Sequence, residues 1–253
     1  MFSEIVEIEL SGRFAHFRRF YANASPLTYD LPPRTALAGL IGAIMGWDEA
    51  ACLEKTDPAR CAIAAGIAPN EGHKPIQKVM FPVLYRFNFS KEGIPKESSR
   101  ANYELLYKPK YRIFVSFEEK ETLDDFRKRC AQRRFVYEPY LGTASFPTNV
   151  EFENSNAEQG CKLSFVTGGE ALRLPVVTAI PWPEEDPPSI DLSKEGLVLS
   201  EATFPRMGLP GRRFIYHRVR YNRSGASLYL KRKGSIDFYQ VNKSQNSVLI
   251  SFL

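Results

Sequence analysis

The residues best suited to chemistry in this chain are basic and aromatic, and they cluster directly after the first predicted strand. Residues 12–21 read Gly-Arg-Phe-Ala-His-Phe-Arg-Arg-Phe-Tyr, and an arginine follows a proline-rich turn downstream. Guanidinium groups bind phosphate oxygens bidentately, and aromatic rings stack on unpaired bases. The pattern indicates phosphate or single-stranded nucleic-acid binding, while a solvated loop with phenylalanines in the core explains it equally simply. The candidate binding residues here are Arg13, His16, Arg18, Arg19, Tyr21 and Arg34.

A second basic and aromatic stretch is residues 110–117, Lys-Tyr-Arg-Ile-Phe-Val-Ser-Phe. Its last four residues and its lysine fit the first ribonucleoprotein box of the RNA-recognition motif, although the glycines of that box are missing. One hypothesis is that bases stack on this strand; the alternative is a buried aromatic strand. Residues 206–223 alternate arginines with aromatic residues in a similar way, and acids are almost absent nearby.

Charge is unevenly distributed along the chain. The formal net charge of the 253 residues is only +5. The last 53 residues nevertheless carry 10 basic and 2 acidic side chains, whereas residues 151–200 carry 3 basic and 9 acidic ones. Clustered cations favour phosphate binding, because together they release counterions from a nucleic acid. A solvated basic surface remains the alternative.

Several classes of site are excluded by the motifs that the sequence lacks. It contains no G-x-x-x-x-G-K-[ST], G-x-G-x-x-G, H-E-x-x-H or G-x-S-x-G pattern. The four cysteines form no C-x-x-C pair, so we expect reduced buried thiols rather than a zinc site. We therefore expect no metal and no cofactor.

The composition indicates a soluble globular protein. Hydrophobic residues make up 43% of the chain and charged residues 25%, which is ordinary for a folded domain. No apolar run reaches the roughly 18 residues of a membrane span, and the first residues lack the pattern of a signal peptide. We expect a cytoplasmic protein with no membrane partner.

The order of predicted elements indicates an α+β fold. An alternating half-buried strand at 2–10 precedes a helix at 35–47, and extended segments follow at 76–89 and 111–117. A second helix at 122–134, capped by Thr122, leads into extended structure at 136–152. This order predicts a ferredoxin-like (RRM-like) βαββαβ domain over 1–155, with two helices on one face of an antiparallel sheet. Short β segments predict a smaller β-rich C-terminal lobe at 156–253.

Two segments together resemble a known family. Residues 12–20, with 28–46 reading Thr-Tyr-Asp-Leu-Pro-Pro-Arg-Thr-Ala-Leu-Ala-Gly-Leu-Ile-Gly-Ala-Ile-Met-Gly, are similar to the opening of CRISPR-associated Cas family five. Residues 140–147, Tyr-Leu-Gly-Thr-Ala-Ser-Phe-Pro, resemble the second recurring segment of that family. Its members are RAMP-superfamily subunits of type I Cascade complexes, and the sequence is most similar to those of type I-B.

This resemblance implies a binding role without turnover. Family members hold the 5′ handle of the CRISPR RNA (crRNA), cap the backbone filament, and contact the Cascade backbone subunit and large subunit. A role with target DNA near the protospacer-adjacent motif (PAM) is left open. The family's β-hairpin thumb corresponds to residues 74–108. With the basic residues around residue 110, this segment adds the candidate RNA contacts Lys78, Arg86, Tyr103, Lys108 and Arg112.

Two other functions stay open at this point. One branch of the family cleaves precursor crRNA without metal, through a Tyr/Lys/His group. His16, Tyr21 or Tyr29, and His73 with Lys74 could supply such a group, but no motif matches it. The other alternative is a plain scaffold, in which the glycines of the first helix serve subunit packing only. We expect a non-catalytic subunit.

Overall fold

The computed structural model describes residues 2–20, 26–89, 95–152, 161–166, 173–209, 213–242 and 247–253. Within these ranges the chain is a mixed α/β structure with mainly strands and few helices. The helices are α1 (Arg34–Met45), α2 (Glu49–Lys55) and α3 (Lys120–Gln132). The strands are β1 (Glu4–Ser11), β2 (Phe14–Ala15), β3 (Cys61–Ile67), β4 (Gln77–Phe89), β5 (Pro95–Tyr107), β6 (Lys110–Phe117), β7 (Asn149–Phe152), β8 (Cys161–Phe165), β9 (Ile180–Pro181), β10 (Ser189–Ile190), β11 (Leu199–Leu209), β12 (Arg213–Asn222), β13 (Leu230–Arg232), β14 (Tyr239–Val241) and β15 (Val248–Ile250).

The main sheet is antiparallel and runs in the order β15-β14-β8-β1-β6-β3, with β7 also paired to β1. The sequence predicts a half-buried β1 with an acidic outer face, but Glu7 and Glu9 are buried as well. Basic residues of the neighbouring β6 explain this difference. The Arg112 guanidinium lies 3.0 Å from Glu7 Oε1, and Lys110 Nζ lies 2.6 Å from Glu9 Oε1. The pairing across two strands compensates the buried carboxylates.

Strand β3 is missing from the sequence prediction, which assigns the second core strand to residues 76–89. β3 pairs with β6 along its whole length. Its alanines and glycine are poor strand formers, so they give little signal. They are small because another segment crosses closely: a Cβ on Gly66 would lie 2.0 Å from the Val177 carbonyl oxygen, and the Ala179 N–H donates to the Ala65 carbonyl at 2.7 Å.

The helices α1 and α3 pack on each other and on the main sheet. The structure places both of them one or two residues earlier than predicted. Thr122, the predicted cap, lies inside the first turn of α3, where its hydroxyl donates to Glu119 Oε2 at 2.9 Å. The short helix α2 was not predicted, because none of its residues is buried and it lacks an apolar stripe. Asp48 caps α2 by accepting the Ala51 N–H at 2.8 Å.

The C-terminal segment is rich in strands, and its described part contains no helix. It shares a sheet and a core with the N-terminal segment, because β8, β14 and β15 extend the main sheet beside β1. Phe204, Val219 and Tyr221 belong to the same hydrophobic cluster as the apolar residues of β1 and α1. The main sheet thus continues across the boundary that the sequence predicts near residue 155.

A long antiparallel hairpin, β4–β5, lies between β3 and β6 in the chain. It occupies the segment that the family resemblance assigns to the thumb. At its base, β2 pairs with the end of β5, with Phe14 opposite Tyr107. The strand at residues 76–89 therefore forms this hairpin instead of a core strand.

The base of the hairpin is anchored on the buried carboxylate of Asp30. Lys78 Nζ of β4 lies 2.9 Å from Asp30 Oδ1, and Arg223 Nε lies 3.1 Å from Oδ2. The Tyr221 hydroxyl of β12 donates to Oδ2 at 3.0 Å. Glu104 of β5 provides a second carboxylate 3.3 Å from Lys78 Nζ. These five side chains, called the Asp30 hub below, connect the hairpin, the segment before α1 and the end of β12.

Replacing the hub carboxylate by an amide (Asp30→Asn) removes the buried counter-charge of Arg223 and leaves Lys78 with Glu104 alone. We expect the free energy of unfolding to fall by about 2–3 kcal/mol, because both cations keep some access to solvent. Urea denaturation measures this change. Glu54→Gln is the matched control: it breaks an exposed 2.8 Å pair with Arg60, and should cost less than about 1 kcal/mol. Equal small losses in both variants would contradict the anchoring role of Asp30.

Helix α1 contains two glycines with different surroundings. A Cβ on Gly42 would lie 2.8 Å from Cys52 Sγ of α2, so the packing of the two helices requires a glycine there. A Cβ on Gly39 would meet nothing within 4 Å. Glycine inside a helix costs about 0.5–1 kcal/mol relative to alanine. Packing within the described chain therefore does not explain Gly39.

The two glycines make a matched pair for substitution. Gly39→Ala should raise the free energy of unfolding by about 0.5–1 kcal/mol, because it gains helix propensity without a clash. Gly42→Ala should lower it, because Cys52 or the α2 backbone must move. Urea denaturation of both variants compares them directly. A destabilised Gly39→Ala protein would show that the space beside Gly39 is occupied within the chain itself.

Candidate nucleic-acid interface

An open cleft of about 590 Å³ lies where β1 ends and β6 begins. Arg13 and Lys108 are exposed in it, and Lys110 lines it while contacting Glu9 at 2.6 Å. We call it the basic cleft. Its lining residues are Ser11, Gly12, Arg13, Lys108, Pro109, Lys110, Pro147, Thr148 and Asn149.

Backbone pairing holds Arg13 and Lys108 of the basic cleft beside each other. Lys108 has a φ of +47°, and its N–H donates to the Arg13 carbonyl at 2.9 Å. The rings of Phe14 and Tyr107 face each other with centroids 5.8 Å apart. Arg13 Cζ lies 5.5 Å from the Phe14 centroid, and Lys108 Nζ lies 5.3 Å from that of Tyr107. Two predicted binding residues thus flank one aromatic pair.

The basic cleft has the chemistry of a phosphate-binding surface. Its exposed guanidinium and ammonium groups can donate to phosphate oxygens, contacts that fix the position of a nucleic acid without reading its sequence. None of the residues that line it is a histidine, cysteine, aspartate or glutamate. The lining therefore contains neither a carboxylate to repel phosphate nor an imidazole to transfer protons. Lys110 and Asn149 belong to this cleft although they were not among the predicted binding residues.

His16 is buried, which differs from the predicted surface contact with RNA. Its Nδ1 lies 2.9 Å from the Glu104 carbonyl oxygen, and its ring centroid lies 5.1 Å from that of the half-buried Tyr103. Burial lowers the pKa of His16, so the neutral imidazole is favoured at neutral pH. The ring packs beneath the hairpin instead of facing solvent.

The two neighbouring arginines differ in their environment. Arg18 is exposed and forms an isolated backbone bridge with Thr28. Arg19 Nε donates to the Thr28 carbonyl at 2.9 Å, and its Cζ lies 5.6 Å from the Tyr29 ring centroid. Arg18 is therefore the better placed of the two for an external ligand.

Three other predicted contacts have their cationic groups engaged inside the chain. Arg34 is only 2% exposed, and its Nη2 donates to the Thr56 and Cys61 carbonyls, both at 2.7 Å. Lys78 belongs to the Asp30 hub, and Arg112 pairs with Glu7 in the main sheet. The sequence marks these residues as basic but does not show that buried acceptors lie beside them.

The side chains of two further predicted contacts are not among the described parts of the structure. Tyr21 lies outside the described residues, and Arg86 lies in β4 with its side chain outside the description. The ribonucleoprotein-like strand offers no stacking surface, because Phe114, Val115 and Phe117 of β6 are buried. β6 is an inner strand of the main sheet, between β1 and β3, so both of its faces are covered. The alternative of a buried aromatic strand is the one observed.

His217 of β12 is a half-buried titratable residue outside the predicted set. It lies opposite Phe204 of β11. Both of its ring nitrogens are shielded from solvent and have no hydrogen-bond partner among the described residues. Burial, helped by the positive charges of Arg206 and Arg34, lowers the pKa of His217 to about 4. The imidazole is therefore neutral at pH 7.

Within the described ranges, no group of three or more His, Cys, Asp and Glu residues could hold a metal ion. Nor does a single helix there have the length and apolarity to cross a membrane. In these ranges only α1 and α2 taken together have that length and apolarity, and they are bent by 116° relative to each other.

Comparison with known proteins gives one family and several similar folds. A family model described as "CRISPR-associated protein (Cas_Cas5)" matches residues 5–158. A CRISPR protein from Archaeoglobus fulgidus is 13% identical, with 98% of each chain covered and a TM-score of 0.50. A chain of a CRISPR RNA-guided surveillance complex is 12% identical, with 92% of this chain and 91% of that chain covered and a TM-score of 0.48. No curated protein matches the sequence.

The burial of His217 predicts a defined acid sensitivity. The folded-state pKa of about 4 lies below the ordinary value of 6.5, so the unfolded chain takes up a proton first as the pH falls. The contribution of His217 to the free energy of unfolding should be fully present above pH 6.5. It should be lost as the pH falls from 6.5 to 4, and the loss should be at most on the order of 3 kcal/mol. His217→Gln should flatten the plot of unfolding free energy against pH in this window.

Urea denaturation at several pH values measures this effect. A smaller slope remains from His16, whose pKa is lowered in the same direction. His73→Gln, at an exposed histidine, is the control and should leave the slope unchanged. A slope in His217→Gln equal to that of the parent protein would contradict the buried neutral state.

Proposed function

Because this chain belongs to the CRISPR-associated Cas5 family, we propose that it is a non-catalytic, RNA-binding subunit of a type I CRISPR effector complex. In this role it holds the 5′ handle of the crRNA and caps the backbone filament. The observation that carries the proposal is the basic cleft at the end of β1. There the exposed cations Arg13 and Lys108 flank the aromatic pair of Phe14 and Tyr107. The I-B subtype suggested by the sequence stays a prediction.

The cleft fits a short piece of single-stranded RNA. Arg13 and Lys108 provide two positive charges that no described salt bridge neutralises. The adjacent Phe14 and Tyr107 rings are partly accessible and offer a face for base stacking. A subunit that binds only a handle needs few exposed cations, which agrees with the net charge of +5. Phosphate contacts would position the RNA, and stacking would add affinity.

The finer architecture belongs to the same proposal. We propose that the core is a ferredoxin-like module made of β1, α1, β3, β6, α3 and β7. The antiparallel strand order β7-β1-β6-β3 supports this topology. The hairpin β4–β5, inserted between β3 and β6, would then be the thumb that reaches over the RNA. The Asp30 hub fixes the base of this hairpin relative to the core.

We further propose that the partners are the backbone and large subunits of the complex in the cytoplasm, with target DNA near the PAM left open. We propose no RNA cleavage. Two of the groups considered for a metal-independent nuclease are engaged elsewhere, since His16 is buried and the Tyr29 hydroxyl donates to the Thr203 carbonyl at 2.7 Å, and Tyr21 lies outside the described residues. His73 and Lys74 lie in an exposed turn.

Removing the two cations of the cleft that no described salt bridge neutralises, with Arg13→Ala and Lys108→Ala together, should weaken binding of a handle RNA. We expect a loss of about tenfold for each charge-assisted hydrogen bond. The slope of log K against log salt should fall in magnitude by about 0.7 for each lost phosphate contact, as for single strands. Fluorescence anisotropy with a labelled repeat RNA at several salt concentrations measures both quantities.

The matched control removes two exposed cations outside the cleft, with Lys128→Ala and Arg134→Ala. It should leave affinity and salt slope nearly unchanged. Equal losses in both double variants would show that binding depends on overall charge and not on the cleft. Incubating the parent protein with repeat RNA in EDTA tests the nuclease alternative: intact RNA with retained binding supports the non-catalytic role, and cleavage overturns it.

A further inference from the structure

A second cavity, away from the residues of the basic cleft, lies along helix α1. Its volume is about 700 Å³. Its walls come from α1, α2, the segment that follows α3, and the β11–β12 hairpin. We call it the α1 groove and define it by the residues Gly39, Leu53, Tyr137, Tyr140, Arg206 and Phe214.

The walls of the α1 groove carry apolar side chains that are left open to solvent. Leu53, Tyr137, Tyr140 and Phe214 come from three different parts of the chain, and each is between 42% and 61% exposed. Large apolar side chains that converge on one concave surface are typical of interaction sites, whereas single exposed ones are ordinary. This convergence favours an apolar ligand surface.

Helix α1 lines the groove, and its residue Gly39 has no side chain to fill the space. Gly39 is exposed, and a Cβ there would meet nothing within 4 Å. Gly42, one turn further, is explained by Cys52, but Gly39 has no such neighbour. A glycine at this position allows another backbone or a bulky side chain to approach α1 closely.

The charges around the groove indicate which kind of ligand it prefers. Two arginines line the groove. Arg206 is exposed, whereas the guanidinium of Arg34 is buried and donates to two carbonyl groups. The lining also contains four acidic residues, Asp48, Glu49, Asp57 and Glu138. This excess of acids disfavours a phosphate backbone and favours lysine or arginine side chains. In charge the groove is the opposite of the basic cleft.

We propose that the α1 groove binds an apolar segment carrying lysine or arginine residues, supplied by a different protein subunit. Apolar side chains of that segment would lie on the aromatic walls and close to Gly39, while its cations would pair with Glu49 and Glu138 at the rim. The proposal rests on the proposed function only in that this chain works within a complex of several proteins. The RNA site and the protein site would then lie on different surfaces of one subunit.

The experiment uses the complex assembled with the proteins and crRNA of the chain's own CRISPR locus, purified through a tag on this chain. Gly39→Trp fills the groove; we expect at least tenfold less of one partner protein in the complex, with RNA binding by the chain retained. Lys128→Trp, on the exposed face of α3, is the matched control and should leave the composition unchanged. The melting temperature of each isolated variant shows whether the fold is intact.

A second variant keeps the proposal testable if tryptophan disturbs helix α1. Glu49→Gln with Glu138→Gln removes the rim charges without adding bulk, and should cause a several-fold loss of the same partner at low salt. A photocrosslinking residue at Leu53 identifies the ligand. We expect its product to be a peptide of another subunit that contains lysine or arginine.

Three outcomes would overturn the proposal. They are a crosslink to RNA, a crosslink to a second copy of this chain, and unchanged partner content in both the Gly39→Trp and the Glu49→Gln/Glu138→Gln complexes. These results do not depend on the basic cleft. If both groove variants keep normal RNA binding and normal partner content, the groove proposal alone is refuted. Lost handle binding in the Arg13→Ala/Lys108→Ala variant tests the proposed function separately and supports it.

Discussion

The constraint on which the rest of the structure depends is the neutralisation of buried carboxylates. Asp30 lies just before α1, and its partners come from β4 and from the end of β12, two parts of the chain far apart in sequence. A carboxylate in this position is stable only while its counter-charges stay in place. The hub therefore fixes the base of the hairpin against the core. Inside the main sheet, the buried carboxylates of Glu7 and Glu9 are neutralised in the same way by Arg112 and Lys110, which connects β1 to β6.

These buried pairs also determine which cations remain for an external ligand. Lys78 and Arg112 are adjacent to acids, and Arg34 is held by carbonyl groups, so their charges serve the fold. Arg13 and Lys108 are held by backbone pairing and aromatic rings, which leave their charged ends exposed. The same excess of basic residues in the sequence thus divides into structural cations and candidate binding cations. The α1 groove, whose lining contains four acidic residues, shows that positive charge does not cover the whole surface.

The sequence predicts those parts of the fold that have a strong local signal. Helices α1 and α3 lie close to their predicted positions because their apolar residues recur at helical spacing, and the resemblance to Cas family five is confirmed by the family model over residues 5–158. The sequence gives no local signal for strand β3, because its alanines and Gly66 are small to let residues 177–179 cross it closely. Burial of Arg34 and His16 was equally hidden, since both depend on carbonyl groups distant in sequence.

The central claim is that the crRNA handle lies in the basic cleft. Ultraviolet crosslinking of the assembled complex, followed by mass spectrometry of the peptide–nucleotide products, tests it most directly, because Phe14 and Tyr107 would stack close to the bases. The account predicts handle nucleotides attached to the peptides that contain Phe14 and Tyr107. Handle nucleotides attached only to peptides of the α1 groove, or only to other subunits, would contradict it.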